Sequence, residues 1–188
     1  LKEPVTESTK KAARCFYALS QNRADSKRYP AIDTLDSYSK YLEYPEFIDF
    51  AKEELDENWV ELVNEARNTL VKGKEMEEQI NILGDDSVPI SYHIDLWRSE
   101  FIDFVILQQD AFDKIDATTS LERQEYMLKK VSGVTRSTLR FENFEEVAIY
   151  FKRLINAFRQ MNYTIFKSEE FHKAEEEANA VLEERFVK

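Results

Sequence analysis

The sequence contains few residues that turn or break a chain: three glycines and four prolines among 188 residues. Turn-dense sandwiches, barrels and collagen-like chains need many more, so these classes are excluded. The single cysteine, Cys15, has no partner for an internal disulfide, which favours a reducing compartment. No apolar run approaches the roughly 20 residues of a membrane-spanning helix, so we expect no direct membrane insertion. The chain starts at Leu1 without a secretory signal, and we expect it to be a piece of a longer protein.

Positive charge is also scarce. Lys and Arg number 26 against 37 Asp and Glu, which gives a net charge of −11 and a pI near 4.8. Such a surface repels phosphate backbones, so a nucleic-acid partner is not expected. Hydrophobic residues nevertheless make up 43% of the chain, enough for a packed core and too many for a disordered one.

Motifs for catalysis are absent from the sequence. None of the three glycines lies in a phosphate-binding motif, and the two histidines, His93 and His172, are far apart. Asp113 and Asp116 form a possible carboxylate pair, which solvated helix faces also explain. The residues alone therefore predict no catalytic residue and no metal site.

An N-terminal arm, residues 1–44, differs from the remainder. The aromatic-rich run Cys15–Leu19 fits one buried strand, or alternatively a buried helical turn. A lone strand would need a sheet that this chain does not contain, so we expect residues 1–25 to be disordered, rearranged or paired with another copy. Pro30 prevents a helix through Tyr29, because the residue before proline avoids the helical region.

Residues 45–188 show helical periodicity almost throughout. Pro45 suits a first helical position, and Gly73 is a predicted helix stop. Further predicted stops and caps are Gly84, Ser91, Thr119 or Ser120, and Gly133. The longest apolar stripe recurs at steps of three and four: Phe141, Phe144, Val147, Phe151, Leu154, Ile155, Phe158 and Met161. The predicted fold is an all-α C-terminal helical bundle over 45–188, preceded by the arm with its possible single strand.

Several short strings resemble one family when taken in order: the catalytic A subunit of V-type or archaeal-type rotary ATPases. In the arm these strings are Glu3-Pro4-Val5-Thr6, Phe16-x-Ala18-Leu19, Tyr29-Pro30-Ala31-Ile32 and Ser37-Tyr38-Ser39-x-Tyr41. In the bundle they are Ile82-Leu83-Gly84-Asp85, Leu107-Gln108-Gln109-Asp110-Ala111-Phe112-Asp113 and Tyr126-Met127-Leu128. The resemblance identifies residues 1–44 with the end of the nucleotide domain and a hinge, and 45–188 with the C-terminal bundle.

The resemblance implies a role for the longer protein. Three A subunits alternate with three B subunits in a hexameric ring around a rotating central stalk, to which the D subunit belongs. ATP hydrolysis or synthesis is coupled to proton or sodium transport, and the complex is peripheral, on the cytoplasmic face of a membrane. ATP or ADP binds with Mg²⁺, whose ligands, like the phosphate-binding loop and the catalytic glutamate, lie upstream of this chain. The isolated chain is therefore expected to be inactive.

The resemblance also implies site residues. Tyr29 and Phe112 occupy the positions of two aromatic walls of the adenine pocket, and Ile115 would complete the apolar surface. Asp85 and Asp86, in the loop 84–90, occupy the region that faces the rotor. The alternatives are that the rings are only core and the loop only a polar turn.

Two other interpretations of the whole chain stay open. One is a stand-alone acidic helical adaptor for protein interaction with a basic partner. The other is the non-catalytic B subunit of the same complex, although the Glu-Pro-Val-Thr and Leu-Gln-Gln-x-Ala-Phe strings favour the A subunit.

Overall fold

A computed structural model describes residues 3–187, and the chain divides into two compact units, Leu1–Glu61 and Leu62–Lys188. The division falls early in a long helix rather than at residue 44. The helix that begins at Pro45 therefore belongs to the first unit. The predicted domain boundary at 44/45 concerns the longer protein and stays a prediction.

The first unit combines short helices with one two-stranded antiparallel sheet. Its elements are α1 (Pro4–Ala12), β1 (Cys15–Phe16), α2 (Gln21–Asp25), β2 (Tyr38–Ser39), a 3₁₀ turn (Tyr41–Glu43) and α3 (Pro45–Glu54). Ser20 caps α2 by accepting a hydrogen bond from the Arg23 amide at 3.4 Å. Pro45 occupies the start of α3, as predicted, since its missing N–H is not needed there.

The expectation that the Cys15 strand has no partner in this chain is wrong. Cys15 pairs with Ser39 and Phe16 with Tyr38, and the Phe16 and Tyr38 rings stack at 6.0 Å. The pattern missed this pairing because two-residue strands carry almost no periodic signal. Pairing of the isolated chain with another copy stays a prediction.

The second unit is a bundle of long helices. Its elements are α4 (Trp59–Leu83), a 3₁₀ turn (Asp85–Ser87), α5 (Ile90–Ile102), a π-helical turn (Asp103–Leu107), α6 (Leu121–Arg136), α7 (Phe144–Asn162) and α8 (Glu169–Glu183). Among residues 3–187 the only paired strands of more than one residue are β1 and β2, so the all-α prediction is confirmed. No helix within that range is both long and apolar enough to cross a bilayer.

Helix α7 is the centre of the core, and it follows the predicted stripe. Val147, Phe151, Leu154, Phe158 and Met161 are at most 1% exposed, and α5 and α8 pack against them. The Phe158 ring meets Phe101 of α5 edge to face at 4.9 Å. Burying so many apolar groups is the main source of the stability of this unit.

Three predicted helix boundaries are wrong. Gly73 lies inside α4 and Gly133 inside α6, and the cap before α5 is Pro89 rather than Ser91. Gly73 is buried because α4 and α5 approach closely there: a Cβ at this position would lie 2.5 Å from Ser99 Oγ and closer still to Ser99 Cβ. Gly84, which has φ of 88°, does end α4, and Ser120 does cap α6.

Candidate functional site

Tyr29 lies in a bend of the first unit, just before a segment that is bonded to the run after β1. The Ser20 amide donates to the Ala31 carbonyl at 2.9 Å, and the Asp33 amide donates to the Ala18 carbonyl at 2.8 Å. Tyr29 is 51% exposed, beside this bonded segment. The alternative that Tyr29 is a buried core ring does not fit this exposure.

Phe112 lies in the loop that joins the π-helical turn to α6, and its ring is 99% exposed. The loop around it is nevertheless well bonded. The Phe112 amide donates to Asp110 Oδ1 at 2.9 Å, and Asp113 Oδ1 accepts from the amides of Ile115 and Asp116 at 2.9 and 2.8 Å. Ile115 is half-buried in the same loop. The structure therefore presents an open aromatic ring on an ordered support.

Asp116 is buried, which contradicts its assignment to a solvated helix face. Its carboxylate accepts from the Asp110 amide at 2.6 Å, and its carbonyl accepts from Gln109 Nε2 at 3.1 Å. Burial raises the pKa of Asp116, against the opposing effects of the Asp110 hydrogen bond and the Arg123 charge. The side chain closes the loop across its base.

Arg123, in the first turn of α6, was not singled out by sequence reasoning. Its side chain is buried and donates to the carbonyls of Met161 at 2.6 Å and Thr164 at 3.2 Å, where α7 ends. Burial lowers the pKa of Arg123, and the negative charges of Asp116 and Asp113 counteract that effect. Arg123 therefore ties the start of α6 to the end of α7, beside the loop that carries Phe112.

A signal for this arrangement is present in the sequence. Asp110, Asp113 and Asp116 recur every third residue in a segment without helical periodicity. Aspartates at such spacing often accept hydrogen bonds from backbone amides two or three residues further on. Asp110 and Asp113 accept hydrogen bonds of this kind here, and Asp116 accepts one from the Asp110 amide, across the loop.

Asp85 and Asp86 share the 3₁₀ turn between α4 and α5, and both are exposed. The turn is fixed by His93, whose Nε2 lies 3.2 Å from the Asp85 carbonyl oxygen. His93 is 4% exposed and stacks on Phe144, the first residue of α7, at 5.0 Å. His93 thus has a packing role, and no group of side chains within residues 3–187 is arranged to hold a metal ion.

Two apolar residues adjoin the acidic turn. Ile82 is 76% exposed and Leu83 is 53% exposed, at the end of α4. A surface that combines open aliphatic groups with carboxylates can contact a partner both by burial and by charge complementarity.

The predicted site residues thus fall at three places. Phe112 and Ile115 share one loop of the second unit, Asp85 and Asp86 share one turn of that unit, and Tyr29 belongs to the first unit.

A solved structure shows the class of fold. The chain is similar to an ATP synthase subunit, NeqB, from Nanoarcheaum equitans, with a TM-score of 0.50 and 19% identity. The likeness covers 73% of this chain and 32% of that one, and it concerns the fold alone.

The family itself is shown by the sequence. The model for the C-terminal domain of V and A type ATP synthase matches residues 48–147, more than half of the chain. The chain belongs to this family, as the resemblance predicted.

Relatives extend the similarity over nearly the whole chain. It is 36% identical over 173 residues to the V-type ATP synthase alpha chain of Borrelia duttonii (strain Ly), with 92% of this chain and 28% of the relative covered. The corresponding chain of Protochlamydia amoebophila (strain UWE25) is 32% identical over 186 residues, with 97% and 30% covered. Alpha chain 1 of Treponema pallidum (strain Nichols) is 33% identical, with 96% and 28% covered. The chain therefore spans less than a third of the length of these relatives.

Proposed function

We propose that this chain is the C-terminal part of the catalytic A subunit of a V/A-type rotary ATPase, and that it forms part of the adenine pocket and the contact to the central stalk. The longer protein would couple ATP hydrolysis or synthesis to proton or sodium transport on the cytoplasmic face of a membrane. Similarity to alpha chains over more than nine-tenths of this chain favours this role over the B subunit and over a stand-alone adaptor.

The observation that carries the nucleotide role is Phe112, a fully open ring on a bonded loop. A large apolar ring that stays in water forgoes the free energy that its burial would supply. A flat heterocycle such as adenine would cover it. By resemblance, Tyr29 has the position of a second ring and Ile115 that of the apolar margin; Tyr29 is half-exposed and Ile115 half-buried.

No part of this chain would do the chemistry. ATP or ADP would enter with Mg²⁺, whose ligands belong to the preceding part of the longer protein. The rings contribute affinity and orientation, since stacking needs only an open aromatic face.

Nucleotide affinity of the full-length A subunit, assembled with its B subunits, tests the ring assignment. Phe112→Ala and Tyr29→Ala should each weaken ATP binding about tenfold, because a base–aromatic stack is worth about 1–3 kcal/mol. Ile149→Ala is the matched control, since Ile149 is also exposed (62%) but lies on the outer face of α7. Unchanged affinity in both aromatic variants would refute the role.

The rotor contact is supported by the exposure of Asp85 and Asp86 beside Ile82 and Leu83. We infer that the partner is the D subunit of the central stalk, and that it offers basic groups next to an apolar strip.

Calorimetric titration of the chain into the purified stalk protein, the D subunit from the same source, tests this contact. Asp85→Asn with Asp86→Asn should weaken binding, and the loss should diminish at high salt. Glu176→Gln with Glu177→Gln removes the same charge from α8 and is the control. Equal losses in both double variants would show that only net charge matters.

A further inference from the structure

The loop that carries Phe112, residues 108–119, has no helix or strand, yet its shape is fixed by three carboxylates. Asp110 Oδ1 and Asp113 Oδ1 hold amides within the loop, at 2.8–2.9 Å. Asp116 bonds across it, from its carboxylate to the Asp110 amide at 2.6 Å. The two ends of the stretch that contains Phe112 are thereby joined to each other.

The loop is also tied to the core. Asp116 is 7% exposed and its charge is favoured by the Arg123 guanidinium, which is itself 4% exposed. Arg123 donates to the Met161 and Thr164 carbonyls, where the central helix α7 ends. Hydrogen bonds thus tie Arg123 to the end of the core helix, and the charge of Arg123 favours the ionised carboxylate at the base of the Phe112 loop.

We infer that Asp116 and Arg123 are positioning residues for the nucleotide: they hold the loop 108–119 in the shape that presents the Phe112 ring to adenine. The inference rests on the proposed function of Phe112. Neither side chain touches the base. They act by removing freedom from the loop before the ligand arrives, so that binding does not have to order it.

Burying two opposite charges costs desolvation free energy. A loop that only had to close the end of the bundle could do so with apolar residues, which do not carry this cost. A carboxylate offers what an apolar side chain cannot, namely a directed acceptor for the Asp110 amide. The cost therefore fits a demand for one loop shape rather than for stability.

The steady-state kinetics of the full-length A subunit, in its complex, test the inference. Asp116→Ala should raise KM for ATP and the nucleotide Kd by about tenfold, the equivalent of ordering one loop residue on binding. The kcat should not fall, since the reacting groups lie outside this chain. Asp116→Asn, which keeps an oxygen for the Asp110 amide, should restore most of the affinity. Ser137→Ala, which removes a buried hydroxyl at the opposite end of α6, should leave KM unchanged.

A second measurement separates the inference from the proposed function. Hydrogen exchange at the amides of Asp110 and Phe112 should accelerate in Asp116→Ala and not in Ser137→Ala, with or without nucleotide. If Phe112→Ala weakens binding but Asp116→Ala does not, the positioning role alone is overturned. If Phe112→Ala has no effect on binding, the positioning role falls together with the proposed role of Phe112.

Should Asp116→Ala fail to fold, Asp113→Ala replaces it. Asp113 is half-buried and supplies the acceptor for two amides of the same loop, so its loss should raise KM in the same direction. Unchanged KM in that variant, with faster exchange of the Ile115 amide, would show that the shape of the loop does not matter for binding.

Discussion

Adding one methyl group at Gly73 tests the close approach of α4 and α5. The new Cβ would lie 2.5 Å from Ser99 Oγ, closer still to Ser99 Cβ, and 3.5 Å from the Asp95 carbonyl oxygen. Only the first two contacts are too short. Because a Cβ is fixed to the backbone, it cannot turn aside, and the two helices must separate.

The magnitude follows from two opposing effects. Alanine favours a helix interior over glycine by about 1 kcal/mol. Overpacking costs about 1–3 kcal/mol, and a clash between two backbone-fixed atoms belongs at the upper end. Gly73→Ala should therefore lower the free energy of unfolding by about 2 kcal/mol. Gly133→Ala is the control: its Cβ would meet nothing within 4 Å, so that variant should gain about 1 kcal/mol.

A second substitution isolates the clash. Ser99→Gly alone should cost about 0.5 kcal/mol through helix propensity. In the double variant the short contacts disappear, so the alanine at position 73 contributes only its better helix propensity. The coupling energy between the two positions should therefore be about 3 kcal/mol.

Urea unfolding provides the assay, followed by the fluorescence of Trp97, which lies on α5, in a Trp59→Phe background. Additive effects of Gly73→Ala and Ser99→Gly would refute the reasoning, because they would mean that the helices do not touch there.

Three further predictions concern the second unit, and urea unfolding measures each. Burial raises the pKa of Asp116, so the ionised carboxylate lowers the free energy of unfolding at neutral pH. Asp116→Asn should therefore be more stable than the wild type at neutral pH, and this difference should shrink as pH falls through the raised pKa of Asp116. Burial alone would raise the pKa of Glu175, but hydrogen bonds, first among them that of Lys130, lower it overall. Glu175→Gln should therefore lower the free energy of unfolding by about 1–2 kcal/mol at neutral pH, and it should have no effect once pH is below the lowered pKa. Phe158→Ala should lower the free energy of unfolding by about 3–5 kcal/mol, because Phe158 is 1% exposed, whereas Ile149→Ala should change it little. Similar losses of stability in the two variants would contradict the assignment of the α7 core face.

Sequence reasoning succeeded where a pattern is long. The stripe from Val147 to Met161 predicted the buried face of α7, because an apolar residue every three or four positions has no other regular explanation. Ser120 was predictable as a cap for a similar reason: its side chain acts on an amide three residues away.

It failed where the cause is a contact far along the chain. Gly73 fits the pattern of a helix stop, and only the presence of Ser99, 26 positions later, explains a glycine inside a helix. The partner of Cys15 is Ser39, 24 positions further along the chain. No local pattern contains either fact, since both depend on which elements meet.

The candidate site shows the same division. The positions of Tyr29, Phe112, Ile115, Asp85 and Asp86 came from resemblance to a family, and their roles stay predictions. The expectation of a solvated Asp116 was wrong because it followed the usual behaviour of an aspartate, which faces water. Its burial depends on the folded loop, in which its carboxylate meets the Asp110 amide and feels the charge of Arg123.

Helix α7 has a mechanical consequence. Its first residue, Phe144, stacks on the histidine that fixes the acidic turn, and its last turn accepts the bonds of the arginine beside the Phe112 loop. Its 19 residues span about 28 Å at 1.5 Å per residue. A helix packed on its apolar side against core rings bends little, so it joins the two places as one rigid element. Because α5 and α8 pack against it, we expect a displacement of the turn to reach the loop only if the core side chains of these helices move with α7.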